Sequence, residues 1–179
     1  MEFNKAVFNP MLVGSIELMR EDDSPEHKNM FIGELMKAEL QVPAIIKPDP
    51  EEDEEGNLKL SPESKVQFPL LATKDGRKYY MGFTDAVEYS KWVEKNTDLP
   101  YFAMKIPDYF RLIFGKDSQG NTSPALGLVI NPLGANVVIP KEMVGDLAFA
   151  SMGIQPPKKK TAAKNPEEAM EDTSESATE

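Results

Sequence analysis

The segment that decides the fold is Gly127–Pro140, which reads GLVINPLGANVVIP. Two short β-branched runs, Leu128–Ile130 and Val137–Ile139, flank a loop rich in Asn, Pro and Gly that includes Asn131 and Asn136. Strand composition on both sides of turn composition predicts two strands joined by a loop. The segment carries no nucleophile, general base or set of metal ligands, so it indicates a fold and not a reaction.

The composition excludes several classes of protein. The chain has 179 residues, enough for one domain with a sizeable core. Its net charge of −10 disfavours a nucleic-acid partner and an anionic membrane surface. It has no cysteine, which excludes disulfides, thiolate metal sites and cysteine nucleophiles. Because no apolar run could span a bilayer and no secretory leader is recognisable, we expect a cytoplasmic protein.

Two charged segments differ from the rest of the chain. From Gln155 onward the sequence QPPKKKTAAKNPEEAMEDTSESATE has no aromatic or β-branched aliphatic residue. This composition predicts a disordered tail over residues 155–179, after a single domain over residues 1–154. The segment Pro48–Gly56, PDPEEDEEG, lacks the alternating acidic positions of a calcium loop, so it is predicted to be a solvated loop.

The remaining sequence alternates helix and strand patterns. Ser24 and Pro25 form a helix start, and Lys74-Asp75-Gly76 is a hairpin signal between two extended runs. Thr84 is predicted to cap the third helix. The predicted helices cover residues 9–21, 25–39, 85–95, 108–114 and 141–151, and further strands cover 40–46, 66–73, 77–84 and 101–105. This order predicts an α+β fold, with about five helices on a mixed, largely antiparallel sheet.

The sequence offers no convincing catalytic constellation. His27 is the only histidine, and we expect it to be exposed and without a functional partner. The chain has neither a Gly-x-Ser-x-Gly elbow nor a glycine-rich phosphate loop. Asp85, Asp108 and Tyr109 are the candidates for an enzyme, but acids favour helix starts for electrostatic reasons alone. We therefore predict no catalytic residue, no metal site and no cofactor.

Two groups of residues are candidates for binding. Trp92 ends a run of aromatic residues that would either pack in the core or present an interface anchor. Asn131 and Asn136 would either cap their own loop or contact a ligand. A ligand site is best placed where this loop meets the helix start at Thr84 and Asp85, whose N–H groups could hold a carboxylate.

Three blocks, taken in order, resemble the SseB N-terminal domain family, named after an enhanced serine sensitivity phenotype. They are the Asn9-Pro10 helix with FIGELMKAELQVPAII (31–46), YYMGFTDAVEYSKW (79–92) and LVINPLGANVVIPKEMV (128–144). The resemblance covers residues 9–150 and implies an α/β domain of the bacterial cytoplasm. It brings no established reaction and no catalytic residues. Longer members carry a second domain, where this chain has only its charged tail.

The sequence therefore predicts a non-catalytic module that binds a protein partner or regulates it. A sensor for an amino acid or another metabolite is the first alternative, and an enzyme is the second. Thr84, Asp85, Trp92, Asn131 and Asn136 are the predicted binding residues.

Overall fold

The structure is a computed structural model that describes residues 2–54, 58–117 and 119–154. The helices are α1 (Pro10–Glu21), α2 (Pro25–Lys37), α3 (Ala86–Val93), α4 (Ile106–Phe114) and α5 (Lys141–Ser151). The strands are β1 (Glu2–Phe3), β2 (Leu40–Pro43), β3 (Ile45–Lys47), β4 (Glu51–Glu52), β5 (Leu58–Lys59), β6 (Lys65–Gln67), β7 (Leu71–Ala72), β8 (Lys78–Gly82), β9 (Tyr101–Met104), β10 (Gly127–Ile130) and β11 (Val137–Pro140).

In the described part of the chain, the strands form two main sheets that one β-bridge joins. One sheet has the order β1-β9-β2, and the other has the order β11-β10-β8-β7. The backbones of Gln41, in β2, and Phe83, just after β8, exchange two hydrogen bonds of 2.9 Å and so connect the sheets. β8 and β10 run parallel, whereas the other neighbours in these sheets run antiparallel. The predicted α+β fold with a mixed, largely antiparallel sheet is confirmed.

The segment Gly127–Pro140 forms the two strands that its composition predicts. β10 pairs with β11 in a register that opposes Gly127 to Pro140 and Ile130 to Val137. All four residues of β10 are buried, because this strand lies between β8 and β11 and contacts α5. α5 begins directly after β11 and ends at Ser151, as predicted. This part of the core therefore follows from local sequence.

The two N-terminal helices pack against each other beside the sheets. Ser24 is the N-cap of α2, and its side chain accepts a hydrogen bond from the N–H of His27 at 3.3 Å. Each helix has an apolar stripe that is buried, at Leu12 and Ile16 of α1 and at Phe31 and Leu35 of α2. A helix stripe that faces the core supplies most of the stability of such a pair.

The predicted hairpin at Lys74-Asp75-Gly76 is present, but its first strand is divided. β7 pairs with β8, and Gly76 adopts a φ of 82° that favours glycine. Residues 68–70 leave the sheet, and β6 pairs instead with β3. Pro69 within this stretch has no N–H to donate to a ladder, which accounts for the break. The break opens a groove that is described below.

The acidic segment differs in part from the predicted loop. β4, inside this segment, pairs in the antiparallel direction with β5, while residues 55 and 56 of the segment lie outside the described residues. Lys59 of β5 forms an ion pair of 3.1 Å with Asp53. The predicted tail over residues 155–179 lies outside the described residues.

Candidate functional site

A pair of hydrogen bonds joins the loop between β10 and β11 to the start of α3. Asn131 is buried and adopts a φ of 50°, a conformation that asparagine tolerates better than most residues. Its Oδ1 accepts the N–H of Thr84 at 3.0 Å, and its Nδ2 donates to the Oγ1 of Thr84 at 2.9 Å. We call this contact between Asn131, Thr84 and Asp85 the junction. It brings together three of the five predicted binding residues.

The N-cap of α3 is Asp85, not the predicted Thr84. The Oδ1 of Asp85 accepts the N–H of Glu88 at 3.0 Å, while its Oδ2 accepts the hydroxyl of Thr84 at 2.8 Å. The error is one residue, because Thr and Asp are both good caps and adjacent in sequence. The N–H groups of Thr84 and Glu88 thus already have protein acceptors, so they do not hold a ligand carboxylate here.

Trp92 and Asn136, the other two predicted binding residues, do not meet at the junction. Trp92 is only 8% exposed and stacks on Tyr89, with ring centroids 5.9 Å apart. With Met81 and Phe83, these rings form a small core beneath α3. Asn136 is exposed and has a φ of 52°, which suits its position in the loop. These contacts show that Trp92 packs in the core, and the binding role of Trp92 and Asn136 stays a prediction.

A cavity of about 340 Å³ lies beside the junction. Its wall joins α1, the first turns of α3 and the β10–β11 loop, through Val13, Ile16, Glu17, Arg20, Asp85, Glu88, Lys91, Asn131, Gly134 and Ala135. Glu88 Oε1 accepts from Lys91, whereas Glu88 Oε2 is buried and has no hydrogen-bond partner among the described residues. The sequence signals missed the contribution of α1, because nothing local links residues more than sixty positions apart.

A larger groove of about 600 Å³ opens on another part of the surface. Its floor includes Phe68, Leu70, Tyr80 and Leu112, and Val66 stands at its rim with 38% of its surface exposed. The hydroxyl of Tyr80 donates to the Oγ of Ser123 at 3.1 Å, which fixes one side of the floor. The remaining described residues that line it are Gln67, Pro69, Ala72, Lys78, Arg111, Gly115, Lys116, Asp117, Asn121, Thr122 and Pro124.

The groove carries an excess of positive charge. Lys78, Arg111 and Lys116 line it, and Asp117 is its single carboxylate among the described residues. Asp117 accepts the N–H groups of Gln119 and Asn121, both at 2.8 Å, and these bonds lower the pKa of its carboxyl. The carboxylate of Asp117 is therefore already hydrogen-bonded to neighbouring backbone N–H groups. We call this surface the basic groove, and no sequence motif predicted it.

Exposed apolar side chains form a third feature near the junction. Phe8 is 80% exposed and its backbone bridges to Asp85, while Met11 and Val87 are each 67% exposed. Phe8 and Met11 share one shallow hollow at the start of α1. Single exposed apolar residues are ordinary in proteins, but several close together favour a contact surface.

The residues considered for catalysis have structural partners. The carboxylate of Asp108 accepts the N–H of Lys105 at 3.1 Å and lies 3.4 Å from the guanidinium of Arg111. Tyr109 is fully buried, its hydroxyl donates to the carbonyl of Met81 at 3.0 Å, and burial raises its pKa well above 10.0. His27 is half-buried and not exposed as predicted, because its ring packs 2.9 Å from the carbonyl of Asp22.

The described residues were also considered as a metal-binding site and as a membrane-spanning segment. Within them, no group of three His, Asp or Glu side chains is placed to hold a metal ion. None of the helices there combines the length and hydropathy that a bilayer-spanning segment needs.

Comparison with known protein families identifies the family of this chain. The model of the SseB protein N-terminal domain matches residues 12–146, which is three quarters of the chain and includes the junction, its cavity and the basic groove. No curated protein and no solved structure matches the chain significantly. The matched range contains the three sequence blocks almost completely and confirms the resemblance that they indicated. The chain therefore belongs to the SseB protein N-terminal domain family.

Proposed function

We propose that this chain is a protein-binding module that performs no catalysis. The observation that carries the proposal is the basic groove, an open concave surface of about 600 Å³ with an apolar floor. Protein partners bury apolar side chains in such surfaces, and the polar rim then fixes their orientation. The described residues that line the groove include no histidine and no pair of carboxylates, so these side chains suit binding better than proton transfer.

The residues that looked suited to catalysis further support a binding role. Asp108 caps a helix, and Tyr109 holds the carbonyl of a neighbouring strand. A catalytic acid or base has to reach a substrate, whereas these groups face protein partners. Because these groups are already hydrogen-bonded within the protein, the concave surfaces are the better places for another molecule to bind.

The test compares substitutions of two exposed valines, one in the groove and one outside it. Val66 lies at the groove rim, whereas Val138 of β11 is 47% exposed and does not line the groove. A partner is first purified with the wild-type chain from bacterial lysate and identified, and its affinity is then measured by calorimetry. We expect Val66→Gln to weaken binding about fivefold, the loss of about 1 kcal/mol of apolar contact, and Val138→Gln to leave it unchanged.

Three results would count against this proposal. If the wild-type chain retains no partner that binds it directly, the module has no demonstrated protein ligand. If Val66→Gln and Val138→Gln weaken binding equally, the groove is not the contact. Loss of binding in Phe8→Ser alone would place the contact at the exposed apolar residues near α1 instead.

A small-ligand sensor is the second candidate, and the cavity beside the junction favours it. The buried Oε2 of Glu88 has no hydrogen-bond partner in the described part of the chain, and such an atom is costly unless a donor reaches it. Arg20 lines the same cavity, and a guanidinium is well suited to bind a carboxylate. A small molecule with one donor and one carboxylate, such as an amino acid, satisfies both requirements.

Thermal unfolding with a panel of amino acids tests the sensor. We expect a rise in melting temperature at millimolar ligand that Arg20→Ala abolishes, because the carboxylate then loses its partner. Lys95→Ala, an exposed cation outside the cavity, is the matched control. If no amino acid shifts the wild-type transition, the sensor has no support.

A further inference from the structure

We propose that the basic groove binds an extended acidic peptide with at least one apolar side chain. The inference rests on the proposed protein-binding function and specifies the chemistry of the partner. Three properties of the groove lead to it: its charge, the strand edges that border it and its apolar floor.

The charge of the groove is opposite to that of the whole chain. Three cations and one carboxylate line it, a net charge of +2 on a chain of net charge −10. Within the described residues, Lys78 and Lys116 form no side-chain ion pair. Arg111 lies 3.4 Å from the carboxylate of Asp108, which offsets part of its charge, although its side chain is 73% exposed. An acidic partner is repelled by the rest of the chain and attracted at this groove, which orients its approach.

The borders of the groove suit an extended backbone. β7 lies at the end of its sheet order, and β6 pairs with β3 in a separate two-stranded sheet. Val66 and Gln67 of β6, and Ala72 of β7, line the groove. A peptide that adds to a strand edge gains main-chain hydrogen bonds, and its alternate side chains point to one face.

The floor selects an apolar side chain between the acidic ones. Phe68, Leu70 and Leu112 are only partly buried and line the groove. Stacking of successive bases needs several open aromatic rings, but the ring of Tyr80 is buried, which leaves only the partly buried Phe68 among the described aromatic residues of the groove. These features favour a peptide over a single-stranded nucleic acid, although both are anionic.

The experiment uses the full chain and fluorescein-labelled peptides in an anisotropy titration. The probe is EEEFEEE, and the comparison peptides are QQQFQQQ, KKKFKKK and EEESEEE. We expect saturable binding of EEEFEEE that is at least about tenfold tighter than that of each comparison peptide. The affinity should fall as salt rises, because rim charges are screened.

Two charge-reversal variants locate the binding. Lys78→Glu with Lys116→Glu should weaken EEEFEEE at least about tenfold, since both groove lysines become repulsive. Lys74→Glu with Lys95→Glu changes the net charge equally at exposed positions outside the groove, and should change the affinity less than about twofold. Circular dichroism verifies that all variants are folded.

Several outcomes would overturn the inference. If QQQFQQQ binds as tightly as EEEFEEE and Val66→Gln weakens both, the groove binds peptides without preferring acidic ones, and the proposed function survives. If no peptide binds while an identified partner still loses affinity in Val66→Gln, the partner is not an extended acidic segment.

Three further results would also overturn it. Equal losses in the two charge-reversal variants would show that net charge, and not the groove, governs binding. Displacement of EEEFEEE by an equal concentration of oligothymidylate would favour a nucleic acid. Binding seen only after Glu167, Glu168 and Glu171 are changed to Gln would assign the groove to the acidic segment of this chain itself.

Discussion

The junction and the basic groove both combine polar and apolar residues, but their polar groups are used differently. At the junction, Asn131, Thr84 and Asp85 bond to one another and to the backbone. In the groove, Lys78 and Lys116 have no side-chain ion pair within the described part of the chain. Satisfied buried groups stabilise a fold, whereas exposed cations remain available to another molecule. The comparison therefore predicts stability effects at the junction and binding effects at the groove.

The largest effect should come from Trp92, whose side chain supports the helix that starts at the junction. Trp92→Ala removes a buried indole that stacks on Tyr89, and should lower the free energy of unfolding by about 3–5 kcal/mol. Urea unfolding followed by circular dichroism measures the change. A loss below about 1 kcal/mol, together with lost partner binding, would make Trp92 an interface residue after all.

A sharper test compares the two asparagines of the β10–β11 loop. Both have φ near 50°, but only Asn131 bonds to Thr84. Asn131→Ala should cost about 2–4 kcal/mol, since the buried N–H of Thr84 loses its acceptor, whereas Asn136→Ala should cost about 1 kcal/mol for the backbone conformation alone. The difference in unfolding free energy isolates the junction bonds, and equal losses would contradict their importance.

The smallest effect should appear at the rim of the groove, where Asp117 organises the turn next to Lys116. Because its folded pKa lies below the ordinary 3.8, its charge contributes stability above pH 3.8, and that contribution is lost as pH falls through the folded pKa. Asp117→Asn should therefore lower the melting temperature slightly at pH 7, and the difference from wild type should shrink below pH 3.8. Thermal unfolding of both proteins at pH 7 and again below pH 3.8 measures this difference in melting temperature. A difference that persists in acid would exclude the charge as its source.

The sequence predicted the position of the junction, but it did not decide between the two roles considered for Asn131. It predicted that the Asn131–Asn136 loop would meet the helix start at Thr84 and Asp85, because each element carried a clear local signal. It left open whether Asn131 capped the loop or contacted a ligand, and the structure shows that its side chain forms two hydrogen bonds to Thr84. Which partner a carboxamide finds depends on tertiary placement and not on its neighbours in sequence.

The basic groove was beyond prediction for a different reason. Its walls come from β6, β7, β8, α4 and the turn after α4, so its cations are dispersed along the chain. Lys78, Arg111 and Lys116 form no motif in a chain whose acids outnumber its bases. The break at Pro69, which opens the groove, reads in sequence only as an interruption of a strand.

By itself, the sequence determined the helices, most strands, the hairpin at Gly76 and the family, because these depend on periodicity, caps and turn residues within short windows. The tertiary structure alone decided which charges meet on one surface, which aromatic rings are covered and which polar groups have partners. These properties arise from contacts between distant segments, whose energies depend on three-dimensional proximity and solvent exposure, and no local pattern encodes either.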